Sequence, residues 1–278
     1  MKSEITGLTE WLDTPPGAYL LAWERSLFDL AVSDIFGYHA LQLGFPELDA
    51  LQANRMPHKW VALDSFEKQT LPLSSKSRPK NRTGPESISS PRAALYADSA
   101  ALPFPESSLD LVVLPHTLEL GIDPHSTLRE VARVLMPDGR VVISGFNPAS
   151  LWGLRQQRGH FYQRFGYEGL FLPDAGEYIG YWRLRDWLRL LDFEVESAQF
   201  GCYRPALKSQ HWLDRFNWMD RAGKRWWPIF GAVYFLVAVK RVRGMRLLEP
   251  DWKTRKSPVS APAIVASKKP AGWVKISD

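Results

Sequence analysis

The run Ala97 to Ile143 reads ADSAALPFPESSLDLVVLPHTLELGIDPHSTLREVARVLMPDGRVVI. Its centre, Leu109 to Leu114, is apolar and rich in β-branched residues, as in a strand buried on both faces of a parallel sheet. Ser126 to Leu135 follows with Leu128, Val131, Ala132 and Leu135 on one helical face, Asp123 or Ser126 as cap, and Glu130 and Arg133 outward. Pro137, Asp138 and Gly139 break the helix, and Arg140 to Ser144 is another buried-type strand. Strand, helix and strand at this spacing make a crossover unit. The expected fold class is therefore α/β, with a mostly parallel central sheet and helices on both faces.

Working outward, Ala93 to Ala97 is a strand candidate that ends at Asp98. Upstream, Tyr38 to Leu43 ends at Gly44, and Trp60 to Leu63 closes on Asp64. Ala18 to Phe36 reads as a helix stopped by Gly37, with Leu20, Trp23, Leu27, Leu30 and Ala31 as its apolar stripe. Downstream, Tyr181 to Leu191 is an amphipathic helix and Phe193 to Gln199 alternates like a half-buried strand. Ile229 to Val239 is a last strand, expected antiparallel to its neighbour. Residues 73–91 are rich in Ser, Pro and basic residues, with almost nothing apolar to offset ordering entropy, and are expected to be a flexible insertion. The expected organisation is an N-terminal helical lid over 1–37, a domain over 38–243 with an aromatic-rich insertion at 204–228, and a basic disordered tail over 244–278.

A chain of 278 residues, 45% hydrophobic and 23% charged, suits one α/β domain with additions. The single cysteine, Cys202, excludes an internal disulfide framework and a multi-cysteine zinc site, and it fits a reducing, cytoplasmic setting. The first residues are charged and carry no long apolar stretch, so no signal peptide is expected there. The most apolar run, Pro228 to Val239, falls short of the ~20 residues a membrane-spanning helix needs. From Lys240 onward there are ten Lys or Arg against three Asp or Glu, while the whole chain carries +5, so the basicity belongs to the tail. Such a tail can contact nucleic acid or an anionic membrane, or stay solvated.

The ordered run from Ala97 to Ile143 resembles the middle of the class I S-adenosylmethionine-dependent methyltransferases, the small-molecule type that includes quinone-biosynthesis enzymes. The resemblance rests on Ala-Asp-Ser after the third strand, the Leu-Pro-Phe step, the Leu-Asp-Leu-Val-Val strand, His-Thr-Leu-Glu, Arg-Glu-Val-Ala-Arg-Val-Leu, and the Pro-Asp-Gly turn. It implies a Rossmann-like fold with S-adenosylmethionine as cofactor and a small-molecule methyl acceptor as partner. In such a sheet the ligand sits beyond the carboxyl ends of the strands. The resemblance puts Asp98 on the adenine amino group, the Ser99 backbone on a ring nitrogen, and Asp64 on the ribose hydroxyls. Pro115 and His116 border the methionine part. His116 and Glu119 are the catalytic candidates, and Asn147 and Trp152 the substrate-side candidates. No metal site is expected.

The family's glycine-rich cofactor loop falls here on Leu41 to Leu48, with Leu43, Gly44 and Phe45 as the contacts. Gly44 matches the first glycine, but Gln42 replaces an acidic residue, Pro46 the second glycine and Leu48 the third. Proline donates no N–H, and leucine adds bulk where backbone should approach ligand. Glu47 is the nearest substitute acid. Three readings stay open on these residues. One is an active methyltransferase. Another is a methyltransferase-fold protein that binds nucleic acid or a protein without catalysis. The third is membrane attachment through the Trp-rich segment near Trp226 and the tail.

Overall fold

The computed structural model describes residues 8–63, 95–163, 170–173 and 176–241. Asp64, the 73–91 insertion and the tail from 244 lie outside them. Seven strands form one sheet: β1 His39–Leu43, β2 His58–Leu63, β3 Leu95–Tyr96, β4 Leu109–Pro115, β5 Leu135–Phe146, β6 Phe193–Gly201 and β7 Val233–Lys240. Their order is β3-β2-β1-β4-β5-β7-β6. The pairs β2–β3, β1–β2, β1–β4 and β4–β5 are parallel, whereas β7 runs antiparallel to both β5 and β6. The chain thus reverses direction across the sheet between β1 and β4, which opens a crevice at their carboxyl ends.

Alternation along the strands supplies two cores. Leu111, Val113, Val142 and Phe235 face α1 (Leu8–Leu12) and α2 (Pro15–Ser33). Val112, Leu114, Val141, Ile143 and Leu236 face α3 (Thr117–Leu120), α4 (Pro124–Val134) and α6 (Tyr181–Leu190). Between β5 and α6 lies α5 (Leu151–Gln163). The aromatic-rich segment forms α7 (Gln210–Arg215), α8 (Trp218–Trp226) and a 3-10 turn at Pro228–Phe230. The last strand therefore starts at Val233 rather than Ile229, because Pro228 removes a ladder donor and starts a tight turn.

Asp123 caps α4, accepting from the backbone N–H groups of His125 (3.0 Å) and Ser126 (3.1 Å). The Pro137–Gly139 break lies inside β5 as an irregularity in its pairing with β4, with Asp138 in the left-handed region at φ 61°.

The buried face of α2 differs from the expected stripe. Pro16, Leu20, Glu24, Phe28 and Val32 are buried, while Leu30 is exposed. The real stripe runs at four-residue spacing with an acid in its middle, so a search for apolar residues turns the helix away from it. Far from standing apart as a cover, α2 is half of one core: Phe28 packs edge-on against Phe235 at 4.9 Å.

The connection 44–57 between β1 and β2 is built from turns and holds no helix. Gln42 organises it from the end of β1. Its side-chain amide donates to the carbonyls of Gly44 (3.3 Å), Phe45 (3.1 Å) and Leu48 (2.7 Å), and its oxygen accepts from Ala50 N–H at 2.9 Å. Three inward carbonyls need a donor, which a carboxylate cannot supply.

Candidate functional site

At the carboxyl end of β4 the chain leaves Pro115 through His116, whose backbone sits at φ 52° and ψ 8°. Phe45, just past β1, is also left-handed at φ 51°. Each such non-glycine conformation costs roughly 1–3 kcal/mol and persists only where the surroundings impose it. The two side chains meet, with ring centroids 5.5 Å apart, and Phe146 approaches the same imidazole at 4.4 Å.

His116 lies between two carboxylates. Nδ1 is 2.9 Å from Glu119 Oε2, and Nε2 is 3.0 Å from Glu24 Oε1. Glu119 is fixed from its other oxygen, which accepts the Phe146 N–H at 2.5 Å. Exposure is 0% for Glu24, 1% for His116 and 2% for Glu119, so water screens none of them. Burial by itself opposes the imidazolium, but Glu24 and the Glu119 hydrogen bond outweigh it and push the His116 pKa up to about 10. Burial raises the Glu119 carboxyl, with His116 acting in the opposite sense. The imidazole is thus cationic at neutral pH.

The Glu24–His116 approach lacks hydrogen-bond alignment, and neither Glu24 oxygen has a hydrogen-bond partner among the described residues. Ser144 Oγ, beside Pro115 in the β4–β5 register, is buried and unpartnered as well. Buried oxygens without donors are costly, which marks this end of the crevice as a place suited to a cationic or proton-donating ligand.

Around the crevice, Gly44 is left-handed at φ 67°, and a Cβ there would meet only the Thr117 side chain, at 3.6 Å. Thr117 Oγ1 donates to the Leu43 carbonyl at 2.5 Å, tying β1 to the start of α3. Asp98 is exposed at the end of β3 and accepts from Ala100 N–H at 2.8 Å. Ser99 Oγ bonds Thr127 Oγ1 at 3.1 Å. The Asp98 loop is clamped to α4: Arg133 donates to the carbonyls of Leu102 and Phe104, both at 3.0 Å, and Glu130 accepts from Leu102 N–H at 3.1 Å.

Leu43, Gly44, Phe45, Pro115, His116 and Glu119 therefore meet at one place, while Asp98 and Ser99 follow β3, with Ser99 against Thr127 of α4. Asp64 lies outside the described residues. Asn147 and Trp152 hold packing positions. Asn147 Nδ2 donates to the carbonyls of Ile229 (2.7 Å) and Gly231 (3.0 Å), and the buried Trp152 indole donates to Arg204 O at 2.7 Å. Glu24 was missed in the sequence. The signal was an acid at the centre of the Leu20–Phe28–Val32 spacing.

A strand order that reverses beside β1, an antiparallel seventh strand and a crevice lined from β1, β3 and β4 define the class I methyltransferase fold. A family model described as a methyltransferase domain matches residues 50–143. The chain is 34% identical over 177 residues to the uncharacterized protein YafS of Escherichia coli, covering 63% of this chain and 65% of that one. It is 27% identical over 128 residues to a demethylmenaquinone methyltransferase of Chlamydia pneumoniae, covering 45% of this chain and 50% of that one. It thus spans just under two thirds of the length of the first relative and half of the second. Among solved structures, a chain of the complex between the Haloferax volcanii Trm112 methyltransferase activator and its methyltransferase superposes with TM-score 0.53 at 17% identity, over 85% of this chain and 97% of that one. Residues 50–143 thus carry a methyltransferase domain, and the chain has the class I S-adenosylmethionine-dependent methyltransferase fold.

A methyltransferase domain of this fold implies S-adenosylmethionine as the cofactor. The residues present fit it at both ends. Exposed Asp98 offers an acceptor for an amino group, and the orphaned Glu24 oxygens offer negative charge to the cationic methionine end. Among the described residues, no helix is long and apolar enough to cross a membrane.

Proposed function

We propose that the protein transfers a methyl group from S-adenosylmethionine to a small-molecule acceptor at the carboxyl ends of β1 and β4. The observation that carries this reading is the buried Glu24–His116–Glu119 cluster, which supplies negative charge and a proton acceptor where methyl donor and acceptor would meet. Asp98 and Ser99 hold the adenine, Asp64 the ribose, and Leu43, Gly44 and Phe45 the methionine part. The bound cofactor supplies an electrophilic methyl group. The chain's own residues position the acceptor, exclude water and take up its proton.

Glu119, fixed by the Phe146 N–H, orients His116. Glu24, buried beside the His116 imidazole and with its oxygens unpaired by hydrogen bonds among the described residues, receives the proton of an O–H or N–H acceptor. Ligand binding requires the Phe45 ring to leave His116, a change confined to the turn that Gln42 holds. The buried single cysteine suits a reducing compartment, and we place the protein in the cytoplasm.

One observation favours a second reading, a methyltransferase-fold protein that binds a partner without catalysis: the Phe45 ring, inside the altered loop, is buried against His116. Calorimetric titration of wild type and Asp98→Ala with S-adenosylmethionine and S-adenosylhomocysteine separates the two. Micromolar binding that Asp98→Ala weakens tenfold or more, about 1.4 kcal/mol, supports methyl transfer. No binding of either ligand by folded protein removes it.

A further inference from the structure

Helix α8 is pinned to the body along one side. Gly223 faces inward against the Tyr203 ring, and any side chain there would collide with it. Asp220 also faces inward, accepting from Tyr19 Oη, from Tyr203 N–H at 3.3 Å and from Arg204 Nε at 3.0 Å. With 3.6 residues per turn, Trp218, Arg221 and Arg225 are left on the outer face. Trp218 is 60% exposed, and Trp226, at the helix end, 74%. The chain then turns through Ile229 and Phe230, and Phe230 is 54% exposed. Between residues 204 and 230 there are six Arg or Lys and two Asp, one of which is the inward Asp220.

Large side chains exposed this close together, rimmed by cations, call for a partner surface. Their chemistry is that of a lipid interface: indole rings suit the headgroup level, aliphatic and phenyl groups go deeper, and guanidinium groups meet lipid phosphates. Ile229 offers no ring on which a base could stack, so a membrane accounts for more of the patch than a nucleic acid does. The patch is also fixed in place. The carbonyls of Ile229 and Gly231 are held by Asn147, directly after β5, at the carboxyl end of the sheet where His116 lies.

We propose that α8 and the turn after it dock on an anionic membrane surface, with Trp226 and Phe230 in the interface and Arg221 and Arg225 on lipid phosphates. The contact lies on the folded body, whatever the tail adds. It would set the carboxyl rim of the sheet beside the bilayer, where an acceptor with an apolar tail could be presented. The proposal does not depend on catalysis.

Flotation of the full chain with vesicles tests it, using phosphatidylcholine alone and an equal mixture with phosphatidylglycerol. Wild type should float with the anionic vesicles and stay behind with the neutral ones. Arg221→Glu with Arg225→Glu, and separately Trp226→Ser with Phe230→Ser, should each lower vesicle affinity at least tenfold, with an unchanged circular dichroism spectrum. Lys268→Glu with Lys269→Glu in the tail should leave most of the binding. Wild type that does not float, binding that neither α8 pair reduces, or binding abolished by the tail pair would overturn the proposal. So would capture of single-stranded RNA, instead of vesicles, through Arg221 and Arg225.

Discussion

Glu24 Oε1 lies 3.0 Å from His116 Nε2, joining the helix that precedes the sheet to the end of its fourth strand. Neither group reaches solvent, and the second imidazole nitrogen is taken by Glu119. A cation so placed is part of the architecture as well as of any chemistry, because removing it leaves two buried carboxylates facing each other.

His116→Ala should therefore destabilise the fold by about 3–5 kcal/mol, the usual cost of stranding buried charge. Urea denaturation at pH 7 measures it. A loss under 1 kcal/mol would mean that the carboxylates are neutral.

The same cluster sets a pH dependence. The His116 pKa is raised in the folded protein to about 10, and the Glu119 carboxyl is raised too, so the native state holds protons that the unfolded chain releases. The His116 contribution is fully present below the unfolded histidine pKa of about 6.5 and is lost as pH rises through about 10. Urea midpoints should fall between pH 6.5 and 10 in wild type and stay flatter in Glu24→Gln. Equal slopes in the two proteins would contradict the pairing.

Gln42→Glu would restore the family's acidic residue, yet it should weaken this protein. The substitution removes the amide donor shared by the Gly44, Phe45 and Leu48 carbonyls and sets a carboxylate against them. A loss of about 1–3 kcal/mol is expected. A more stable variant would show that the turn rearranges freely.

Phe45→Gly relieves a left-handed backbone but deletes a buried ring, and the deleted packing is the larger effect, about 3 kcal/mol. Opening the space beside His116 should tighten S-adenosylhomocysteine binding even as the melting temperature falls. Weaker binding by a folded variant would mean that the Phe45 ring, and not its backbone alone, contacts the ligand.

Arg133→Ala should act at a distance from His116. It frees the Leu102 and Phe104 carbonyls and with them the loop that carries Asp98. Amide exchange over 99–106 should quicken, with a stability loss of about 1 kcal/mol for this half-exposed side chain. Unchanged exchange would place the loop's rigidity elsewhere.

Much of this architecture was legible in the sequence, for physical reasons. Leu109 to Leu114 and Arg140 to Ser144 are buried on both faces and leave continuous apolar runs. Asp123 reads as a cap because its short side chain has two orphan N–H groups within reach. The gathering of Gly44, Pro115, His116 and Glu119 followed from the rule that strand ends converge. Two features did not show. Glu24 hides on a buried stripe that hydrophobicity alone rotates by a residue. The role of Gln42 depends on three carbonyls that turn inward only after the chain folds, so its substitution for an acid reads as loss when it is a rivet.

Helix α2 bears on how the gene can be divided. The region of recognisable family likeness, 50–143, begins after β1 and stops before β7. A fragment cut to those limits would lack β1, which joins β2 to β4, the last strand against β5, and the helix that brings Glu24 to His116. Even a cut placed just ahead of β1 would uncover Leu111, Val113 and Phe235 and leave an imidazolium with one partner. The smallest autonomous unit is thus larger than the inherited signature, and deletions meant to trim the N-terminus should yield insoluble protein rather than a simplified enzyme.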